Sequence, residues 1–420
     1  MKSALLKAKI LIYRILSLTG IIKIVNNIQF KMIKKFQEKK FFELKNKRNI
    51  KVLFIVVFDS VWKYEQLYKF FEKDKRFTPL ISIAPYTNLS ENESKNQLNS
   101  VYKEFRSKGY NVRKDLKNPK TEYDPDIVFF TVPYGYTKKE FQISNYKSCL
   151  TCYVPYAFVV ISRIELHYSK PFYRKLWRYY METKIHKKMC KTVSNIDDNN
   201  IYVSGYPGLD NLIPKPNSDK KKNNSIKSII WAPHHSISQF GAGLNYSSFE
   251  AFHVFFKQIM EIYDNKIAVV FKPHPLLKGN LYKSDEWGKK KTDDYYSYWK
   301  NHSVGSLEEG AYEDLFSSSD ALIHDCASFM AEYMVTGKPL LYLANMKKNN
   351  TGFNRFGDML YEKHYKASAE NEISEFIEKV VIGEDDFMKN VRQGFVSEFL
   401  INDNETASQK IYKNILNELT

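Results

Sequence analysis

What this chain has little of narrows the field before any motif is sought. Cysteine occurs four times in 420 residues (Cys149, Cys152, Cys190 and Cys326). That is too few for a disulfide framework, so a reducing compartment is expected. Cys149-x-x-Cys152 has the spacing of a redox motif or half a metal site. No second pair stands at metal spacing, and both residues fall in a strand-like run, so they read as two packed thiols. No stretch reaches the roughly 18 uncharged apolar residues of a spanning helix. The best candidate, residues 8–25, is broken by Lys9, Arg14 and Lys23 and has no small-residue cleavage site. A cytoplasmic protein is therefore expected. There is no Walker loop and no G-x-G-x-x-G, which argues against ATP hydrolysis and dinucleotide redox chemistry. H-E-x-x-H, paired C-x-x-C and the nucleophile elbow are also missing, so no metal and no cofactor are expected.

Acidic residues are the other deficit: 47 Asp+Glu stand against 64 Lys+Arg, a net charge of +17. Such a balance implies an anionic partner. Its distribution is uneven. Residues 1–49 hold 13 Lys/Arg but only Glu38 and Glu43, so this arm carries +11 and the remaining 371 residues carry +6. Apolar residues recur in the arm at helical spacing (Leu5, Leu6, Ile10, Leu11, Ile15, Leu16, then Ile21, Ile22 and Ile24). A basic amphipathic helix of this kind lies on an anionic membrane surface with its lysine stems snorkelling. The other reading is a helix packed on the protein's own domain with its lysines in water. The charge density favours the membrane, at the inner face of the cell membrane, and no nucleic-acid partner is expected.

The chain has ample material for cores, with 43% hydrophobic and 15% aromatic residues, and its length predicts two domains. From Lys51 onward, strand and helix patterns alternate, which implies parallel sheets. Strands are predicted at 52–57, 78–84, 126–131, 152–160 and 201–204, with helices at 62–71, 91–108 and 171–191. The last helix is dense in aromatic and basic residues (Phe172, Tyr173, Arg174, Lys175, Trp177, Arg178). It suits a membrane interface or polyanionic acceptor, or equally a half-buried helix. A Pro-, Gly-, Asn- and Lys-rich stretch at 205–225 has no periodicity and reads as a linker. Beyond it, strands are predicted at 228–232, 267–271, 320–324 and 340–343, and helices at 249–263 and 327–336, the latter stopped by Gly337 and Pro339. The expected domains are a membrane-associating arm (1–49), two Rossmann-like lobes (50–204 and 226–395), and a C-terminal helix (396–420) packing back on the first lobe.

Histidines stand at the carboxyl ends of three predicted strands of the second lobe, where ligands bind in open α/β sheets. They lie in Trp231-Ala-Pro-His-His-Ser236, in Phe271-Lys-Pro-His-Pro275 and at His324-Asp325. Three such residues in register in one lobe point to a shared site. Ser328 follows at a predicted helix start, where free N–H groups and the dipole attract phosphate. A plain N-cap by Asp325 or Ser328 is compatible with that use. Glu332, one turn later on the same face, can take ribose hydroxyls.

In the order Gly205-Tyr-Pro, Trp231-Ala-Pro-His-His, Phe271-Lys-Pro-His-Pro, Ser319-Asp-Ala-Leu-Ile-His-Asp-Cys-Ala-Ser-Phe-Met-Ala-Glu-Tyr and Gly337-Lys-Pro-Leu-Leu-Tyr342, the chain resembles the CDP-glycerol glycerophosphotransferases. These include teichoic acid polymerases and related transferases of capsule and lipopolysaccharide clusters. The resemblance covers about 200–345 well and 51–204 more loosely. It implies a GT-B-like α/β fold with two Rossmann-like lobes facing each other across a cleft, donor in the C-terminal lobe and acceptor in the N-terminal lobe. It makes His274 the donor-phosphate residue, matches Asp325–Ser328 and Glu332 to the family's turn, and sets His234 and His235 beside its Tyr-Ala-Pro-type segment. The family's acceptor-lobe motif carries a histidine; the corresponding Tyr153-Val-Pro-Tyr156 has none. Cys326 and Ala327 stand where Ser and Gly are common.

The expected reaction is transfer of glycerol phosphate, or a related polyol phosphate, from a CDP-activated donor to a hydroxyl of a glycan or lipid-linked acceptor, with release of CMP. Lys272, His274 and the Ser328 turn are assigned to the pyrophosphate, with His234, His324, Asp325 and Glu332 as further donor-site residues. His235 and His167 are the candidates for general base. The alternatives are glycosyl transfer from a nucleotide sugar on the same architecture, and a non-enzymatic basic module that binds membranes or nucleic acid.

Overall fold

The run Val52–Val56 is apolar at every position, a pattern that fits a strand covered on both faces. A computed structural model of the chain describes residues 21–213, 226–237, 246–310, 312–344, 352–401 and 403–419, with side chains from Asn27 onward. In it this run forms most of β1 (Ile50–Val56), buried along nearly its whole length. β1 sits within a seven-stranded sheet with β2 (Phe77–Ile83), β3 (Val112–Arg113), β4 (Ile127–Phe130), β5 (Leu150–Tyr153), β6 (Arg178–Met181) and β7 (Ile201–Val203), in the order β3-β2-β1-β4-β5-β6-β7. A second sheet, of order β10-β9-β8-β11-β12-β13, contains β8 (Lys227–Ala232), β9 (Ile267–Phe271), β10 (Ser306–Leu307), β11 (Ala321–His324), β12 (Leu340–Leu343) and β13 (Tyr365–Ala367). Every pairing in both sheets is parallel.

The two sheets are wound alike. Each begins at an inner strand, builds outward in one direction, then returns to that strand's other side. The strand order therefore reverses between β1 and β4 in one sheet and between β8 and β11 in the other. Crevices outside the carboxyl ends of strands at such switch points are where α/β sheets bind ligands.

The chain divides into two compact units. One comprises 1–156, 168–204 and 408–420, and the other 157–167 and 205–407. The terminal helix Ala407–Leu419 completes the first core, with Ile411, Ile415 and Leu419 buried in it and Tyr412 donating to Asp74 at 2.7 Å. Segment 157–167 joins the second unit, where Asn354 Nδ2 donates to the Val159 carbonyl at 2.7 Å. The second core is dominated by aromatics, with Trp231 stacked on Phe256 at 4.2 Å.

Two local expectations are corrected. Residues 171–191 are not one helix. They form a turn at Pro171–Arg174, strand β6 and the helix Lys184–Val193. Tyr179, Tyr180 and Met181 are buried on both faces between β5 and β7, and aromatic side chains fit a pleated surface better than a helix there. The 152–160 strand ends at Tyr153, just before Val154-Pro155, because proline offers no ladder donor. All four cysteines are free and buried.

The arm divides in two. Leu5 to Leu16 lie outside the described residues. Ile21–Lys45 is one helix of 25 residues. It packs on its own domain through Phe30, Ile33, Gln37 and Leu44. Gln37 Nε2 donates to Thr151 Oγ1 and to the Lys175 carbonyl at 3.2 and 2.8 Å, and Lys47 pairs with the buried Asp126. The opposite face leaves Ile28, Met32, Phe36 and Phe42 exposed among Lys31, Lys35 and Lys39. Among the described residues, no helix is long and apolar enough to cross a membrane.

Candidate active site

The second sheet's switch point gathers the histidines. β8 runs into Pro233-His234-His235, and β9 runs into Lys272-Pro273-His274. Because β8 and β9 are hydrogen-bonded neighbours, the two loops emerge side by side, and His274 N–H donates to the Pro233 carbonyl at 3.1 Å. The ring of His235 lies 4.2 Å from that of His234 and 4.3 Å from that of His274. One nitrogen from each of the three falls within 4.8 Å of the others, a spacing compatible with a metal ion.

Their hydrogen bonds favour a different use. His234 Nδ1 accepts from the Ser236 N–H at 3.2 Å, and His274 Nδ1 accepts from the Leu276 N–H at 3.1 Å. With Nδ1 committed as acceptor, the proton of each neutral ring belongs on Nε2. Both rings are thus N–H donors at Nε2, whereas a metal there needs a lone pair. Burial, together with the neighbouring His235, holds His234 and His274 down at about 3, so both are neutral at pH 7. His235 is lowered too, by burial. Asn280 Nδ2 donates to the His235 carbonyl at 2.9 Å and holds that loop in place.

Asp325, at the end of β11, is the strap of the site. It is fully buried and accepts from the N–H of His234 and from both the N–H and hydroxyl of Ser248, the last at 2.6 Å. It thereby ties the histidine loop to the start of the helix Phe249–Ile262. Burial raises its carboxyl to about 6 against the opposing pull of those hydrogen bonds.

The turn after it differs from expectation. The helix there is only Phe329–Glu332, followed by a 3-10 turn at Met334–Thr336 that ends at Gly337, whose φ of +72° suits glycine. Ser328 makes no cap hydrogen bond; its Oγ lies 3.0 Å from Cys326 Sγ. Asp325 does not cap either, because the donors of two distant loops occupy its carboxylate. A four-residue helix has little dipole, so the predicted N-cap and most of the helix-terminus attraction for phosphate are absent.

The remaining candidates are placed as follows. Lys272 is buried near His274, with its ammonium donating to the Gly310 carbonyl at 2.7 Å; burial lowers it while Glu308, Glu309 and Glu313 pull the other way. Glu332 is buried and accepts from Tyr206 at 3.2 Å and from Tyr312. His324 is fully buried, its Nδ1 donating to the Cys326 carbonyl at 3.0 Å and its Nε2 without a hydrogen-bond partner. It lies inside the sheet and cannot touch a ligand there. His167 stands on the short helix Glu165–Tyr168, outside the three-histidine cluster. Ser248, Asn280 and Tyr312 had no signal in the sequence; Tyr206 stands in the Gly205-Tyr-Pro segment, but nothing there pointed to its bond with Glu332. Ser248 lies 77 residues from the Asp325 it serves.

Comparison with known proteins follows the same lines. The protein-family model for CDP-glycerol:poly(glycerophosphate) glycerophosphotransferase matches residues 174–417, more than half of the chain. No curated protein matches. Among solved structures, the chain is similar to the wall teichoic acid polymerase TagF, soaked with CDPG, at 14% identity over 96% of each chain and a TM-score of 0.58. It is also similar to an S. aureus MnaA–UDP structure (14% identity, 88% of this chain, 97% of that chain, TM-score 0.53). A third likeness is to UDP-GlcNAc 2-epimerase from Neisseria meningitidis bound to UDP-GlcNAc (14%, 88% and 99%, TM-score 0.52). These likenesses are of fold: two parallel-sheet Rossmann-like domains of GT-B type.

Proposed function

This chain belongs to the CDP-glycerol:poly(glycerophosphate) glycerophosphotransferase family and is a transferase of that type, and from that premise we propose that it moves glycerol phosphate or a related polyol phosphate from a CDP-activated donor to a hydroxyl of a cell-surface glycan or lipid-linked acceptor. The observation that carries this reading is the cluster of His234, His235 and His274 at the switch point of the second sheet. Two neutral imidazoles, each with its proton on Nε2, suit the oxygens of a pyrophosphate. Aimed N–H donors in a site of low dielectric stabilise charge spread over a transferring phosphoryl group. A bound anion raises the pKa of both rings, so they gain positive character only when substrate is present.

In the reaction, an acceptor hydroxyl oxygen bonds to the β-phosphorus, the bond to the bridging oxygen breaks, and CMP leaves. The hydroxyl proton passes to a base, for which His235 is the nearest candidate; no step calls for a metal or another cofactor. The exposed stripe Ile28, Met32 and Phe36 with its flanking lysines suits a protein resting on an anionic membrane face. The test offers labelled CDP-glycerol beside a panel of UDP- and GDP-sugars. CMP release with incorporation of label is the expected result. UDP release with sugar incorporation, and no CMP from CDP-glycerol, would replace this reading with glycosyl transfer.

A further inference from the structure

The first domain has a built cavity at its own switch point. It is about 160 Å³ in volume and opens at the carboxyl ends of β1 and β4, between Val57 and the segment Thr131–Gly135. That volume equals on the order of five waters at ~30 Å³ each, enough for a three-carbon polyol or part of one sugar ring. Phe130, Phe141, Ile143 and Phe172 supply apolar walls. Gln142 donates its amide to the carbonyls of Gly135 and Thr137 at 3.3 and 2.8 Å, which holds the loop over the cavity and leaves Oε1 as acceptor. Lys175 enters from another side, its ammonium donating to Ser144 Oγ at 2.8 Å.

Lys175 is the decisive group. Burial and the nearby Lys147 both disfavour its charge, and among the described residues no carboxylate pairs with it. Lys175 is half-buried, and its ammonium meets a hydroxyl where a buried charge would need a counter-ion. An ammonium held in a cavity of hydroxyl and amide groups, without its counter-ion, fits an anionic ligand that also bears hydroxyls.

We propose that this cavity binds the terminal unit of the acceptor, a small hydroxyl-bearing group whose adjoining phosphate or carboxylate pairs with Lys175. The assignment rests on the reading of the protein as a polyol-phosphate transferase, but its geometry lies wholly within the first domain. Gln142 Oε1 accepts from a ligand hydroxyl, and Ser144 shares the anion with Lys175.

Glycerol 3-phosphate, glycerol and inorganic phosphate serve as probes, titrated calorimetrically into the full-length chain. Glycerol 3-phosphate is expected to bind, and Lys175→Met to weaken it by about tenfold or more, the scale of one charge-assisted hydrogen bond. Lys175→Arg should recover most of the binding, and His274→Ala should leave it unchanged. Ser144→Leu, at an exposed lining position, asks the same question should Lys175→Met fail to fold. No binding of glycerol 3-phosphate, binding indifferent to both Lys175→Met and Ser144→Leu, or binding lost only with His274→Ala would overturn the proposal. CMP release from CDP-glycerol, followed separately, reports on the donor reading. Donor turnover with Lys175-independent binding sinks the cavity alone. Lys175-dependent binding without donor turnover sinks the donor reading alone.

Discussion

The two switch points have the same winding and opposite chemistry. At the ends of β8 and β9 stand neutral imidazoles, packed to within 4.8 Å and strapped to the end of β11 by a buried carboxylate. Between β1 and β4 lies a cavity with one ammonium, one amide, hydroxyls and phenyl rings. Topology decides where a crevice forms, and side chains decide what it can hold. The imidazoles of the second site gain charge only on meeting an anion, and the ammonium beside them, Lys272, is already taken up by the Gly310 carbonyl. The first holds the Lys175 ammonium on a serine hydroxyl, with no carboxylate paired to it among the described residues.

That contrast breaks most visibly at His274. His274→Ala should lower CMP release from CDP-glycerol by ~10²–10³-fold, the scale of one aimed donor to a phosphoryl oxygen, with circular dichroism unchanged. If turnover survives, the second switch point is not the donor site. Asp325→Ala tests the strap: it leaves buried donors of His234 and Ser248 unpaired, at a cost of about 3 kcal/mol in urea unfolding. A loss below about 1 kcal/mol would mean that the two loops are held by other contacts.

Acid should sharpen the difference between the sites. His234, His274 and His324 are held at about 3, below the ordinary 6.5, so their contribution is complete above pH 6.5 and is lost as pH falls toward 3. Asp325, raised from 3.8 to about 6, works the other way, favouring the folded state as pH falls from 6 toward 4. His235, His253 and His364 are lowered as well, so the histidines outnumber Asp325, each group worth at most about 1.4 kcal/mol per pH unit. Melting temperature should therefore fall between pH 6.5 and 4.5, and pyrophosphate should flatten the fall by raising the imidazoles. A flat profile without ligand would show that these rings titrate normally. The smallest effect belongs to the first domain's outer face. Changing Ile28, Met32 and Phe36 to Ser should reduce binding to phosphatidylglycerol vesicles several-fold, as expected for loss of buried apolar area, and leave CMP release intact. Unchanged vesicle binding would assign the stripe no membrane role.

Much of this was legible because strand-forming runs in parallel sheets carry their burial in composition. Ile267–Phe271 and Leu340–Leu343 are strands with the expected bounds. The region 171–191 reads as a helix in the sequence because its aromatic and basic residues suit a helix and a strand equally. Pairing with β5 and β7 chose the strand. The sequence by itself determined two α/β units and the histidines after β8 and β9, since local hydrophobic pattern is enough to place strand ends. Only the tertiary structure decided what each residue does there. His324 and His274 look alike in sequence, yet one is sealed within the sheet and the other joins the cluster. Asp325, predicted to cap a helix, reaches Ser248 instead. Such assignments depend on contacts between residues scores of positions apart, and these form only when the sheet brings separate loops together.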